Sequence, residues 1–486
     1  MNYKITGYKP EKLFHFFEEI TAIPRESGKE KAISDYLVSF AKERGLWYYQ
    51  DDLHNVIIKK GGSHGAEDKE PVMLQGHIDM VCDKLSGVDH DFSKEGPKLI
   101  VKDGVLTADG TTLGADNGVA VALMLMVLDD DSIVHPPVEC VFTTQEEIGL
   151  IGAAGLDKTQ INARTMINMD SEEEGVATVS CAGGMSVRFT RKIEREAAEG
   201  TLMQISIAGL LGGHSGTDIN KERQNANLLM ARMVRMLQSS TDAKLVGFSG
   251  GSKENAITRE CEASLLYTDA EEAAKAEELA CSLAEKMADE ITPYEADFSC
   301  EISVEEGKGA AVIPDDAARA FINAMYLAPN GVQARNIHMD GFVVVSSNLG
   351  VVRAEEKELS LAFSPRSSVA SLQEDMKERF RTLAETFGFE ISIGGEYPGW
   401  SYKEESRIRS IFQESYRELF GTELKIEAIH AGLECGLFSD AISDLDAIAV
   451  GPTLADVHTP DESMPLDSCE RFYELLKDVL KRLAGK

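Results

Sequence analysis

Near the start of the chain, apolar residues recur at helical spacing: Leu13, Phe16, Phe17 and Ile20, then Ile33, Leu37 and Phe40. Pro24 and Gly28 interrupt the pattern, which predicts two helices within residues 11–44. Residues 55–59, Asn-Val-Ile-Ile-Lys, read as a strand, and Gly61-Gly62-Ser63 as the turn that follows. Residues 72–75, 139–143 and 165–168 are short apolar runs of the kind that form buried strands, whereas 119–128 is apolar without a break and reads as a buried helix. Strands alternating with helices imply a largely parallel, doubly wound α/β sheet.

The texture changes after about residue 186. Two similar series of strands and helices follow, with helices at 225–237 and 271–287 in the first and at 315–325 and 372–387 in the second. The strand carrying Ala256-Ile257 and the strand 359–363 take comparable places in the two series. This predicts an α+β region of two tandem ferredoxin-like units. An α/β texture returns after Trp400, with a helix at 406–420, strands at 425–429 and 447–450, and a last helix at 469–483. The simplest architecture is a catalytic domain formed by both chain ends, 1–186 and 398–486, with residues 187–397 inserted as a hinged lid.

Composition narrows the function. The chain has 486 residues, 43% hydrophobic and 27% charged, as expected of an ordinary globular protein. Its 82 acidic against 49 basic residues give a net charge of −33, which argues against nonspecific binding to nucleic acid or anionic membrane. The apolar run 119–128 is well short of the roughly 20 residues that span a bilayer. The first residues carry neither a basic segment nor an apolar core, so no signal peptide is expected. Eight cysteines are scattered with no CxxC pair, which predicts free thiols in a reducing cytoplasm.

The candidate chemistry lies at or near strand ends. His77 and Asp79 follow a strand in Gly-His-Ile-Asp-Met; Asp116 precedes the apolar helix in Leu-Gly-Ala-Asp-Asn-Gly; Glu146 and Glu147 close one strand, Asp170 another; and His458 lies far downstream in Val-His-Thr-Pro. In open α/β sheets the ligand crevice lies outside the carboxyl ends of the strands, so most of these groups would meet at one edge. Taken singly, each reads as a surface or satisfied core residue; together they call for a cation, because clustered carboxylates otherwise repel. Zinc accepts both imidazole and carboxylate. Two zinc ions sharing Asp116, with His77 and Asp170 on one and Glu147 and His458 on the other, would be neutral once a bridging hydroxide is added, and such a pair suits hydrolysis. Cobalt or manganese would also accept these donors. Asp79 is placed to fix the His77 ring, and Glu146 can serve as general base if the strand has ended before it.

These strings, with Thr-Gln-Glu-Glu-Ile-Gly, Asn-Met-Asp and Val-His-Thr-Pro-Asp-Glu, resemble the dizinc metallopeptidases that include aminoacylases and glutamate carboxypeptidase, and in particular the Xaa-His (carnosinase-like) dipeptidase branch. The resemblance covers nearly the whole chain. It implies His77, Asp116, Glu147, Asp170 and His458 as metal ligands, Asp79 and Glu146 as the catalytic aspartate and glutamate, and a cis peptide between Asp116 and Asn117. It further implies that His214, in Gly-Gly-His-Ser-Gly, stabilises an oxyanion and that Asn255 and Arg366 hold substrate, Arg366 gripping a terminal carboxylate. His430 and Glu434 are candidate substrate contacts from the catalytic domain, Glu434 for an amino group. His15, His54, His64, His90, His135 and His338 lack partners at ligand spacing and read as surface or satisfied groups, and the aspartates at 129–131 as solvated.

The expected protein is therefore a cytoplasmic, homodimeric dizinc dipeptidase that hydrolyses dipeptides with free termini. An N-acyl amino acid deacylase shares every expected ligand and differs in its substrate pocket. A catalytically inactive metal-binding scaffold would have no need of Asp79, Glu146 and His214.

Overall fold

The computed structural model describes residues 3–337 and 341–486, which fall into two compact units. The first comprises Met1–Cys181, Trp400–Ala428 and Leu433–Lys486, and the second Ala182–Gly399 with Ile429–Gly432.

The first unit is built on an eight-stranded sheet in the order Trp47–Gln50, Val56–Lys60, Val138–Thr143, Val72–His77, Thr165–Asn168, Asp446–Ala449, Val176–Cys181, Lys425–Ile429. Its four central strands, from Val138–Thr143 to Asp446–Ala449, are parallel. Antiparallel pairs flank them, so the sheet is parallel only at its centre. Val72–His77 and Val138–Thr143 are buried along their whole length, which is why they read as unbroken apolar runs rather than alternating ones. The helix Ala115–Asp129 is apolar on every side and packs against both Val72–His77 and the helix Glu11–Thr21. A small sheet of Leu99–Lys102, Val105–Ala108 and Ser463–Pro465 joins the segment after His458 to the hairpin before Asp116.

The second unit carries one continuous eleven-stranded sheet. Both ferredoxin-like units are present in it, but one is nested inside the other. The inner unit runs from strand Glu196–Ala208 through helix Ala226–Ser240, strands Lys244–Gly250 and Cys261–Tyr267, and helix Ala270–Ile291 to strand Ser299–Val312. The outer unit opens earlier, on Gly183–Lys192, and resumes with helix Asp315–Leu327, strands Leu349–Ala354 and Glu358–Phe363, helix Ala370–Phe387 and strand Glu390–Tyr397. Lys244–Gly250 pairs with Leu349–Ala354 and fuses the two edge to edge. The counterpart of Glu358–Phe363 is Cys261–Tyr267; Ala256–Ile257 instead pairs with Gly213–His214 in a separate ribbon. Edge strand Ser299–Val312 buries few residues, while Val187, Phe189, Phe321, Phe363 and Phe380 share the core with the four helices.

Among the described residues, no helix is long and apolar enough to cross a membrane. All eight cysteines are free; five are buried and Cys281 is exposed.

Candidate active site

The register of the central strands sets the site. His77 lies level with Thr143 across one parallel pair, and Gln75 level with Asn168 across the other. The three strands therefore stop together, and His77, the loop bearing Glu146 and Glu147, and Asp170 emerge at one edge. The strand before Glu146 ends at Thr143, so alternation along a strand does not separate the two glutamates.

Asp116 begins the apolar helix in a non-helical conformation (φ −77°, ψ 113°), and its peptide bond to Asn117 is cis, as the resemblance implies. Its two carboxylate oxygens face different imidazoles. Oδ1 is 3.1 Å from His77 Nε2, and Oδ2 is 3.0 Å from His458 Nε2. His77 Nε2 is also 3.5 Å from Asp170 Oδ1, and His458 Nε2 is 2.9 Å from Glu147 Oε1. His77, Asp116 and Asp170 form one group whose ligating atoms all lie within 4.8 Å of one another; Asp116, Glu147 and His458 form a second; and His77, Glu146 and Glu147 form a third.

Three carboxylates and two imidazoles at this spacing suit a cation, and the electrostatics agree. Without one, the imidazoles keep protons. Burial opposes a charged His77, yet Asp170, Asp116 and Asp79 push its pKa well above the ordinary value. Hydrogen bonds to Asp116 and Glu147 raise His458 to about 10, and despite its burial Asp116 is held below the usual carboxylate range by the same two histidines.

Asp79 is fully buried, with Oδ1 3.4 Å and its own carbonyl 3.2 Å from His77 Nδ1. Its carboxylate accepts the N–H groups of Glu146 (3.1 Å) and Glu147 (3.3 Å) and the Ser27 hydroxyl (2.8 Å). Burial works against its charge, but His77, Ser27 and the Glu146 N–H hold its pKa below the ordinary value. Burial pushes Glu146 the other way, up to about 9; His77 opposes the rise, and Asp170, Glu434 and Glu147 add to it. Glu434 is fully buried, accepting from Gln75 Nε2 (2.5 Å) and Thr143 Oγ1 (2.7 Å), and burial raises it to about 8.

The second unit gathers its own set. His214 lies on the short strand Gly213–His214, and Ser215 N–H donates to the carbonyl of Asn255, whose side chain is exposed. His214 Nδ1 accepts the N–H groups of Gly216 (3.3 Å) and Thr217 (3.2 Å), which places the proton of the neutral ring on Nε2. Burial and then the Arg366 charge lower its pKa, so the ring stays neutral. Arg366 is 7% exposed and donates to the Tyr397 hydroxyl at 2.7 Å, while its Nε has no hydrogen-bond partner among the described residues. His430, expected in the catalytic domain, packs within the second unit. The Ala182 N–H donates to the carbonyls of Ile429 and Ala431, and His430 Nε2 lies 2.7 Å from Ser346 Oγ. Burial, then Arg366, takes its pKa down to about 3.

Sequence reasoning missed Ser27, Arg25 and Glu462. Arg25 is 2% exposed and donates to the carbonyls of Ile78 (3.2 Å), Asp79 (3.0 Å) and Gly114. Glu462 is 2% exposed and stands inside the quoted Val-His-Thr-Pro-Asp-Glu string, which was the available signal. Of the remaining histidines, His15 stacks on Tyr3, His135 is buried against the Pro136 carbonyl, and His338 lies outside the described residues. Asp129 is not simply solvated: it pairs with Lys12 and with Arg44 at 2.5 Å, which offsets an anion at a helix C-terminus.

The chain has clear relatives among known proteins. The chain is 33% identical to the cytosol non-specific dipeptidase of Escherichia coli (strain K12) over 485 residues, covering 99% of this chain and all of that one. It superposes on the crystal structure of aminoacylhistidine dipeptidase from Vibrio alginolyticus with a TM-score of 0.94 at 36% identity, covering 99% of this chain and 98% of that one. A tripeptidase from Staphylococcus aureus shares the fold at a TM-score of 0.55 and 17% identity, covering 99% of this chain and 100% of that one. With the model of peptidase family M20/M25/M40 matching residues 73–482, the chain belongs to that family of peptidases.

Proposed function

We propose that this protein is a metal-dependent dipeptidase that cleaves dipeptides with free termini, the Xaa-His type among them. The observation that carries the reading is the placement of Asp116, with one oxygen toward His77 and the other toward His458, beside a glutamate of raised pKa. Support also comes from full-length likeness to the two dipeptidases named above.

In this reading His77, Asp116 and Asp170 would hold one ion, and Asp116, Glu147 and His458 a second. Zinc fits the donors, and cobalt or manganese would be accepted. When bound, the ions supply Lewis-acid polarisation of the scissile carbonyl and acidify water. The other steps belong to the protein. Glu146 takes a proton from the attacking water and returns it to the departing amine, a role suited to a carboxylate whose oxygen lies within ligand distance of His77 and Glu147. Asp79 holds the Glu146 and Glu147 backbone in place. From the second unit come His214 Nε2–H as oxyanion donor, Arg366 as receiver of the substrate carboxylate and Asn255 as a further substrate contact. His430, which lies against Ser346 in the second unit, and Glu434, which is held by Gln75 and Thr143 in the first, are further candidate substrate contacts. A homodimer in the cytoplasm, where its free thiols stay reduced, completes the proposal.

The test is a hydrolysis panel of carnosine, other dipeptides, tripeptides and N-acetyl amino acids, each with chelator and after zinc repletion. Chelator-sensitive cleavage of free dipeptides is expected. Cleavage of N-acetyl substrates alone would reassign the protein as a deacylase. Glu146→Ala should retain both metals and lose turnover; near-normal hydrolysis by that variant would remove Glu146 from the mechanism.

A further inference from the structure

One buried carboxylate takes up every backbone N–H of the turn that presents Asp116. Glu462 Oε2 accepts from Leu113 (2.7 Å) and Gly114 (2.9 Å), and Oε1 from Ala115 (2.8 Å) and Asp116 (3.3 Å). Gly114, the N-cap of the helix, lies in the left-handed region at φ 70° and offers no side-chain cap of its own. Glu462 lies shortly after His458, in a loop closed at its base by the Ala455–Ser463 bridge and continued into the strand Ser463–Pro465. The same carboxylate thus ties the segment carrying His458 to the turn carrying Asp116.

Arg25 completes the clasp from the other side. Its guanidinium donates to the Gly114 carbonyl and to the carbonyls of Ile78 and Asp79, just past His77. A Cβ at Gly114 would stand 2.5 Å from Arg25 Nη2, so glycine is needed for the guanidinium to approach the turn. Buried charges cost stability if left unpaired; here the Glu462 carboxylate meets four backbone N–H groups and Arg25 Nη1 and Nη2 meet backbone carbonyls of the loops that bear the candidate ligands, while Arg25 Nε has no hydrogen-bond partner among the described residues.

The two halves of the site are not equally supported. His77 and Asp170 stand at the ends of strands held by the parallel sheet. His458 stands on a loop, in the left-handed region at φ 63°, with its side chain 45% exposed. The position of His458 relative to Asp116 Oδ2 therefore depends on Glu462 far more than that of His77 relative to Asp116 Oδ1.

We propose that Glu462, backed by Arg25, is a positioning residue that preassembles the His458 half of a two-metal site by clamping the Asp116 turn to the His458 loop. This rests on the two-metal reading given above. Groups that orient ligands in this way typically set metal affinity by about 10–100-fold.

The decisive experiment titrates zinc into the metal-free wild-type protein and Glu462→Gln against a chromophoric chelator, and records the melting temperature of each metal-free protein. In Glu462→Gln an amide N–H₂ meets two of the four backbone donors, so the turn loses acceptors and gains a repulsive contact. The expected result is one ion bound at wild-type affinity and the other weakened by about 10–100-fold. Activity should then be restored as zinc is raised, its midpoint moving by the same factor. Two ions bound at wild-type affinity, or equal weakening of both, overturns the proposal, as does a lowered melting temperature with no split in affinity. A wild-type protein that binds fewer than two ions overturns the two-metal reading itself, and this inference with it. Should Glu462→Gln not fold, Glu462→Asp, which keeps the charge but shortens the reach, is judged by the same titration.

Discussion

Asp79 holds Glu146 by its backbone: the Asp79 Oδ1 accepts the Glu146 N–H at 3.1 Å. The aspartate belongs to the His77 segment and the glutamate to the loop after a neighbouring strand, so this bond sets the general base relative to a candidate ligand. Asp79→Asn keeps the shape but can turn an N–H₂ toward the Glu146 and Glu147 donors. The expected outcome is a fall in kcat of about 10–100-fold with little change in KM, read from steady-state kinetics at saturating metal. An unchanged kcat would mean that Glu146 is positioned without Asp79.

The metal-free protein should lose stability as pH rises. His458 binds its proton up to about pH 10 in the fold against an ordinary 6.5, because Asp116 and Glu147 accept from it. The folded state holds the proton more tightly, so this contribution is whole below about pH 6.5 and lost as pH climbs to about 10. Glu146 and Glu434, raised by burial to about 9 and about 8, act with the same sign from ordinary values of 4.5. Chelator-treated wild type should thus melt at progressively lower temperature between about pH 4.5 and 10, His458→Gln should show a shallower decline above pH 6.5, and saturating zinc should flatten the curve by displacing the proton. Equal slopes for wild type and His458→Gln would show that His458 does not hold this proton.

The candidate ligands were legible because each sits in a short string at or near a strand end, and parallel strands that stop in register bring such ends together whatever the rest of the chain does. Asp116 and His458 need more, since they come from a helix start and a distant loop; their convergence follows from charge balance around a cation and from the resemblance rather than from periodicity. Arg25 and Glu462 act through carbonyls and N–H groups of remote segments, and backbone contacts leave no residue-type signature at the positions contacted. The nesting in the second unit was hidden for a related reason. Gly183–Lys192 pairs with Glu358–Phe363 and Glu390–Tyr397 across the whole inner unit, and local pattern carries no information about which distant strand a strand will join. His430 was assigned by its neighbours in sequence, yet four residues of that segment are held by the other unit.

His214 has a defined donor. Two backbone N–H groups point at Nδ1, and burial with Arg366 keeps the ring neutral, so Nε2–H is the proton available to a developing oxyanion. Removing such a donor typically costs about 10²–10³ in kcat. His214→Phe should show that loss while both metals remain bound by elemental analysis. A variant that turns over normally would leave the oxyanion to other groups.

Arg366 offers a test of the proposed grip on the substrate carboxylate. Its guanidinium is nearly buried, is held by the Tyr397 hydroxyl, and keeps an Nε with no hydrogen-bond partner among the described residues. A hydrogen bond to a charged group is worth about 1.5–3 kcal/mol, which corresponds to about 10–100-fold in kcat/KM. Arg366→Lys retains the charge but loses the planar fork, and should lower kcat/KM for free dipeptides by about that factor. A dipeptide amide lacks the carboxylate, so the wild-type enzyme should cleave it poorly and the substitution should change its rate little. Comparing the two substrates on both proteins completes a cycle that isolates the contact. If Arg366→Lys slows the free dipeptide and its amide equally, the arginine supports the fold of the pocket, and the carboxylate is received elsewhere.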